Sequence, residues 1–178
     1  MKIIAAVSLL VCGISTVIYI CGMHFALSIA VTAGTVAYHF CSRLTVGGIV
    51  DSVMKNRADH TKAVYRTHPW EEKLYSRLRV ASWKSYMPTY DEDAFSLKRH
   101  TPEEIVGATC QSEMVHRICA GISFIPILFA IPFGELFVFI ITSVAGALFD
   151  ITFVIIQRYN RPRLLRLIER KNRNKTEK

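Results

Sequence analysis

The sequence has no glycine-rich phosphate loop after a strand, no RNA-binding aromatic signature and no zinc-finger spacing. Its net charge of +8 and pI near 9.4 therefore do not mark a nucleic-acid surface. None of the five cysteines, Cys12, Cys21, Cys41, Cys110 and Cys119, belongs to a C-x-x-C pair. Most lie in or beside apolar runs, so they read as reduced packing residues rather than redox or metal groups. There is one E-x-x-H, at Glu113 and His116, and no second copy. A di-iron bundle needs two copies plus further carboxylates, so no metal is expected. Internal repeats and low-complexity segments are also lacking, which points to one small domain of 178 residues.

What the chain has instead is long apolar runs, in a composition that is 51% hydrophobic. Lys2 precedes the run Ile3 to Ile20, too long for the core of a signal peptide and followed at once by another run. Cys21-Gly22 reads as a tight turn. Phe25 to Phe40 is a second run, lengthened by Met23, His24 and the residues Cys41 to Val46. Gly34 with Ala30, Ala33 and Ala37 allows close helix packing. Ile118 to Phe133, with Pro126 and Pro132 as expected kinks, is the third run. After a Gly134-Glu135 turn, Leu136 to Ile156 is the fourth. The expectation is an all-α polytopic membrane helical bundle with about four spans and interfacial amphipathic helices. Within a single membrane domain, 1–42 is a helical hairpin and 43–117 a cytoplasmic or interfacial segment. Residues 118–157 form a second hairpin, and 158–178 a basic tail. Lys and Arg lie in the first residue pair, the middle segment and the tail, which predicts a multi-pass cell-membrane protein with both termini cytoplasmic.

In the middle segment Trp70, Leu74, Leu78 and Ala81 recur at helical spacing, predicting an amphipathic interfacial helix. Trp83, Tyr86 and Tyr90 continue its aromatic edge, Pro88 ends it, and Asp91-Glu92-Asp93 reads as a solvated turn. Thr101-Pro102-Glu103-Glu104 is a helix start with a capping box.

The most informative stretch is Asp150 to Arg170, where an apolar run crosses into arginines. Gln157, Arg158, Tyr159, Asn160 and Arg161 stand at the crossing, and Pro162 is expected to break the helix. Beyond it, leucines alternating with Arg163, Arg166 and Arg170 suit a short helix on an anionic membrane surface. Lysine alone would serve a topology anchor. Gln, Tyr and Asn add directional hydrogen bonds, and Arg adds a fork that grips phosphate or carboxylate. Glu113 and His116, three apart, share a helix face, and a carboxylate that orients an imidazole makes a general base. The competing reading is two polar residues on a wet helix end. His100 is the other imidazole near this region, with an exposed loop position as its alternative. Asp150 inside the fourth run is ionisable in an apolar setting, and so is a candidate site residue unless it snorkels or pairs with Arg117 or Arg158. Trp83 and Lys84 are a further candidate contact, or an interface anchor. His68, in H-P-W, belongs with the interfacial aromatics.

L-R-V-A-S-W-K (Leu78 to Lys84), S-E-M-V-H-R-I (Ser112 to Ile118), Pro126 to Leu128 and V-I-I-Q-R-Y-N-R-P-R-L (Val154 to Leu164) occur in that order. This set resembles the glycosyl-4,4'-diaponeurosporenoate acyltransferases, bacterial membrane enzymes of staphyloxanthin-type carotenoid synthesis. The resemblance runs from about Trp70 to the C-terminus. It implies transfer of a fatty acyl group to a sugar hydroxyl of a glycosylated isoprenoid or other glycolipid. The donor is then acyl-CoA or acyl carrier protein, the remaining partners are membrane lipids, and no cofactor or nucleic acid is involved. In that reading His116, oriented by Glu113, is the base, with His100 as the second candidate. Gln157, Arg158, Tyr159, Asn160, Arg161, Arg163, Trp83, Lys84 and Asp150 are candidate substrate contacts, the arginines holding the anionic donor. A methyltransferase-like lipid enzyme and a non-enzymatic membrane scaffold are the alternatives.

Overall fold

A computed structural model of the chain describes residues 1–86 and 95–176, without the side chains of 84–86 and 175. The expectations for Pro88, Tyr90 and Asp91 to Asp93, and for the Lys84 side chain, fall outside the described residues. The helices are α1 (Lys2–Ile20), α2 (Ala26–Met54), α3 (Pro69–Arg77), α4 (Pro102–Ile122), α5 (Ala130–Phe133) and α6 (Leu136–Thr176). Short 3-10 segments cover Ala63–Tyr65, Val80–Tyr86 and Ile125–Phe129. No strand occurs among the described residues, and the protein is all-α. Among the described residues, three stretches are long and apolar enough to cross a membrane: Lys2–Ile20, Pro102–Phe133 and Leu136–Asn174. Helix α2 is not among them, because His39, Arg43 and several hydroxyl residues dilute its apolar character.

The chain divides into two compact units. The first comprises Met1–Gly48 and Arg117–Ile151. Here Gly22, at φ 97°, makes the turn between α1 and α2. Ala26, Ala30 and Ala37 are buried, and a Cβ on Gly34 would stand 3.2 Å from the Cys12 sulfur. Small residues thus let the first two helices approach, as their spacing predicted. Gly134 and Glu135, both at positive φ, form the expected turn before α6. The third apolar run is segmented rather than merely kinked. Helix α4 stops at Ile122, and Pro126 opens the 3-10 segment that leads into α5. Outward-facing residues of this unit are strongly apolar, with Ile3, Phe137 and Ile141 largely exposed. Its buried residues include Thr35, His39, Arg43, Ser123, Ser143 and Asp150. That polarity is the reverse of a water-soluble protein and suits lipid as the solvent.

The second unit comprises Ile49–His116 and Thr152–Lys178. Its apolar core is Tyr75, Val80 and Ile156, flanked by Trp83, Ile155 and Tyr159. The capping box forms as expected. Thr101 N–H donates to Glu104 (2.8 Å), and Glu104 N–H donates to the Thr101 hydroxyl (3.3 Å). Helix α3 is shorter than the periodicity predicted. It ends at Arg77, and Arg79 at φ 52° turns the chain into the next 3-10 segment. Its expected apolar face is outward, with Trp70, Leu74 and Leu78 exposed, while Glu71 and Tyr75 are buried. The predicted break at Pro162 does not occur, because α6 continues through it to Thr176. The proline has no N–H to give the carbonyl four residues earlier, but side chains on both sides of it are held by the contacts described below.

Gly107 of α4 packs directly on the Asn56 backbone, where Asn56 N–H also donates to Gln111 (2.7 Å). A Cβ there would overlap the Asn56 carbonyl, a backbone atom that cannot rotate away. Gly107→Ala is expected to destabilise the protein by about 1–3 kcal/mol, the scale of overpacking. Thermal unfolding of the purified variant measures this.

Candidate active site

The site in the second unit is built on two arginines three residues apart on α6, which therefore share a face. Arg158 donates through Nε to Glu71 (2.7 Å) and through Nη2 to the other Glu71 oxygen (2.6 Å). Its Nη1 donates to Glu113 (3.0 Å) and the Val64 carbonyl (3.2 Å), and Nη2 also reaches the Arg66 carbonyl (2.7 Å). Arg161 donates to the second Glu113 oxygen, the Tyr65 carbonyl (2.9 Å), and the hydroxyl and carbonyl of Thr109 (both 3.2 Å). Its guanidinium also stands 5.2 Å from the Tyr65 ring centroid. Two glutamates and two arginines thus cancel in charge within a buried cluster. They also satisfy the successive carbonyls of Val64, Tyr65 and Arg66, which no sheet or long helix would pair.

The electrostatics follow from this packing. Burial alone would raise the Glu71 carboxyl, but hydrogen bonds from Arg158, the Tyr75 hydroxyl and the His68 N–H hold it below the usual carboxylate range. Burial, then the hydrogen bond to Glu71, pushes Tyr75 up to about 12. Gln157 is buried beside them and donates to the Ser112 hydroxyl (3.2 Å). Its amide oxygen has no hydrogen-bond partner among the described residues.

A cavity of about 430 Å³ opens against this cluster. Arg158 and Glu71 line its inner side, and Arg163, Arg166 and Arg170 reach it from α6. Tyr75 and Tyr159 supply aromatic wall, with the Arg163 guanidinium 3.8 Å above the Tyr159 ring centroid. Arg166 meets Glu72 at 3.3 Å, both exposed. With four arginines against two glutamates, the lining carries an excess of two positive charges. Arg158 has all five N–H groups committed to protein acceptors, so the arginines with donors left for a ligand are those on the outer side.

The remaining candidates are distributed as follows. His116 is half-buried and stacks on Phe153 (centroids 4.4 Å apart, planes 8° apart). Both Glu113 oxygens accept guanidinium N–H. His100 lies beside Glu104 (3.7 Å) and lines a separate cleft with Asn56 and Arg57. Trp83 flanks the core, its indole donating to the Leu78 carbonyl (3.2 Å). Asn160 is half-buried on α6 and does not line the arginine cavity. Asp150 belongs to the first unit, where Arg43 grips it through Nε (3.2 Å) and Nη2 (2.5 Å). Sequence reasoning missed Glu71, Tyr75, Arg166 and Arg170 as one set. The signal was there in α3, where Glu71 and Tyr75 are four apart on one face. Among the described residues no three His, Cys, Asp or Glu side chains converge as metal ligands.

A family model described as glycosyl-4,4'-diaponeurosporenoate acyltransferase matches residues 61–170. No curated protein and no solved structure matches the chain.

Removing one member of the buried cluster leaves an uncompensated charge. Glu113→Ala and Arg158→Ala are each expected to cost about 3–5 kcal/mol of stability, the usual result of breaking a buried pair. A fall in the thermal midpoint of the detergent-solubilised protein checks this. A pH effect follows from Tyr75. Its raised pKa favours folding below the ordinary phenol value of 10.0, and that stabilisation is lost as pH rises from there towards about 12. The wild-type midpoint should therefore fall over that window more steeply than that of Tyr75→Phe.

Proposed function

Because the chain belongs to the glycosyl-4,4'-diaponeurosporenoate acyltransferase family, we propose that it transfers a fatty acyl group to a sugar hydroxyl of a glycosylated lipid. The observation that supports this reading beyond the family match is the arginine-lined cavity beside the buried cluster. Acyl-CoA and acyl carrier protein both present phosphate next to the thioester arm. Arg163, Arg166 and Arg170 hold that phosphate by charge-assisted hydrogen bonds. Arg158 lines the cavity, and Glu113 fixes it together with Arg161 behind it. His116 takes the proton from the sugar hydroxyl, whose oxygen attacks the thioester carbonyl. The new C–O bond forms, the C–S bond breaks, and the thiolate leaves and recovers the proton from the imidazolium. An imidazole is the side chain suited to take and return a proton near neutral pH.

The accompanying topology is four spans with both termini cytoplasmic. Helix α2 has 29 residues, about 43 Å at 1.5 Å per residue, enough to cross. Its Arg43 is paired with Asp150, which lowers the cost of carrying a charge in lipid. Single cysteines introduced at Gly134 and Asn174 in a cysteine-free background are expected to label from opposite sides. Labelling of both from outside rejects this topology.

Lipid extracts of cells with and without the protein should differ by an acylated glycolipid. With purified protein, His116→Ala is expected to lower turnover about 10²-fold or more. His100→Ala should be milder, and a dead His100→Ala beside an active His116→Ala moves the base to His100. Arg163→Ala and Arg170→Ala should each raise KM for the acyl donor about tenfold with little change in thermal midpoint. Arg173→Ala should do neither. Equal effects at Arg170 and Arg173 would reduce the basic face to a general membrane anchor.

A further inference from the structure

The two glutamates that line the arginine cavity are held in different ways. Glu71 is 3% exposed and accepts hydrogen bonds from Arg158, the Tyr75 hydroxyl and the His68 N–H. Glu72, the next residue of α3, has a side chain that is 52% exposed. Among the described residues that side chain has one polar partner, Arg166, whose Nη2 donates to it at 3.3 Å. Arg166 is itself 58% exposed, and its Nε donates to the Pro162 carbonyl (3.2 Å). Both residues line the cavity, so the Arg166 guanidinium reaches across it from α6 to α3.

The contact with Glu72 is single and long. Charge-assisted N–H···O bonds close to about 2.7–2.9 Å, and a guanidinium grips best with two parallel bonds. An exposed pair of this kind adds little to stability, because water and salt screen it. Its consequence lies in the cavity, whose other outer cations are Arg163 and Arg170. The carboxylate occupies a donor of Arg166 that a ligand would otherwise use, and its charge repels an entering anion. A phosphate group, with several acceptor oxygens and its own charge, matches the guanidinium fork and can take the place of the carboxylate. A neutral group cannot. The exchange disturbs nothing buried, since Arg158 and Glu71 keep their own bonds and Arg166 keeps the Pro162 carbonyl.

We propose that Glu72 is a specificity-determining residue of the arginine cavity. Its carboxylate stands where the ligand's anionic group binds on Arg166, and it sets the negative charge that a ligand must bring to displace it. This rests on the reading of the cavity as a phosphate site and adds the residue that screens what enters. Glu72 acts on binding through Arg166, so its effect falls on KM for the donor rather than on kcat.

The test is titration calorimetry of inorganic pyrophosphate into the full-length protein in detergent, with no acyl donor or acceptor present. Wild-type protein is expected to bind it saturably. Glu72→Gln, which keeps the shape and removes the charge, should bind about fivefold tighter, the upper scale of an exposed ion pair. Arg166→Gln should bind more weakly. In the double variant the gain from Glu72→Gln should vanish, the mark of two residues that act through one contact. Glu169→Gln removes the same charge from an exposed position of α6 outside the cavity lining, and should leave binding unchanged. Equal gains at Glu169→Gln and Glu72→Gln would reduce the effect to net charge and overturn the proposal. Wild-type binding that is unchanged or weakened in Glu72→Gln also overturns it, while leaving the phosphate reading of the cavity in place. Absence of binding in wild type and Glu72→Gln alike overturns both. Binding that appears only in Glu72→Gln supports the proposal in its strongest form.

Discussion

Everything at the candidate site depends on one carboxylate, that of Glu113. It lies fully buried on α4 and accepts from Arg158 with one oxygen and from Arg161 with the other. Two guanidiniums on one helix face would repel each other in a low-dielectric interior. A carboxylate between them, with Glu71 on the far side of Arg158, converts that repulsion into attraction. The arginines then have N–H groups to direct at the carbonyls of 64–66. A buried ionic cluster of this kind gives little net stability over an apolar replacement. Its physical consequence is geometric, because planar forks and fixed acceptors admit one arrangement of α3, α4, α6 and the 64–66 backbone.

Much of this was legible from residue types and spacing. The Cys21-Gly22 and Gly134-Glu135 turns, the small residues of α2 and the Thr101 capping box are local features, and each formed as its local chemistry requires. The Q-R-Y-N-R-P-R stretch was recognisable as more than a charge run. What spacing could not reveal was the partner of each charge. Arg158 reaches Glu71 across 87 positions and Arg43 reaches Asp150 across 107. No periodicity encodes separations of that size. The apolar stripe of α3 that spacing picked out is exposed. The burial of its polar stripe was missed because a buried glutamate is rare unless paired.

Asp150 and Glu113 illustrate one rule in two settings. Each is a carboxylate with no exposed surface, and each is held by a guanidinium that also bonds backbone carbonyls. In the first unit the carboxylate is held by one guanidinium in a single fork. In the second the carboxylate joins two arginines and the cluster borders a cavity. The same local chemistry serves as an internal tie in one place and as part of a cavity wall in the other. What separates the two is the presence of further arginines along the cavity.

Their presence there turns on Pro162. A proline inside a helix forfeits a hydrogen bond and crowds the preceding turn, at a cost of about 3 kcal/mol. A break at this position was the natural expectation. Arg158 and Arg161 precede the proline and are both anchored by carboxylates, so the turn that it strains is held by side chains. With the helix uninterrupted, Arg163, Arg166 and Arg170 follow at i, i+3 and i+7, the spacing of a single helix face. All three line the cavity, and Tyr159, one turn earlier, lies under the Arg163 guanidinium. Had the chain turned at Pro162, these arginines would have scattered into a basic tail. The buried cluster is therefore what keeps Arg163, Arg166 and Arg170 together along one cavity, in residues whose sequence pattern resembles a membrane anchor.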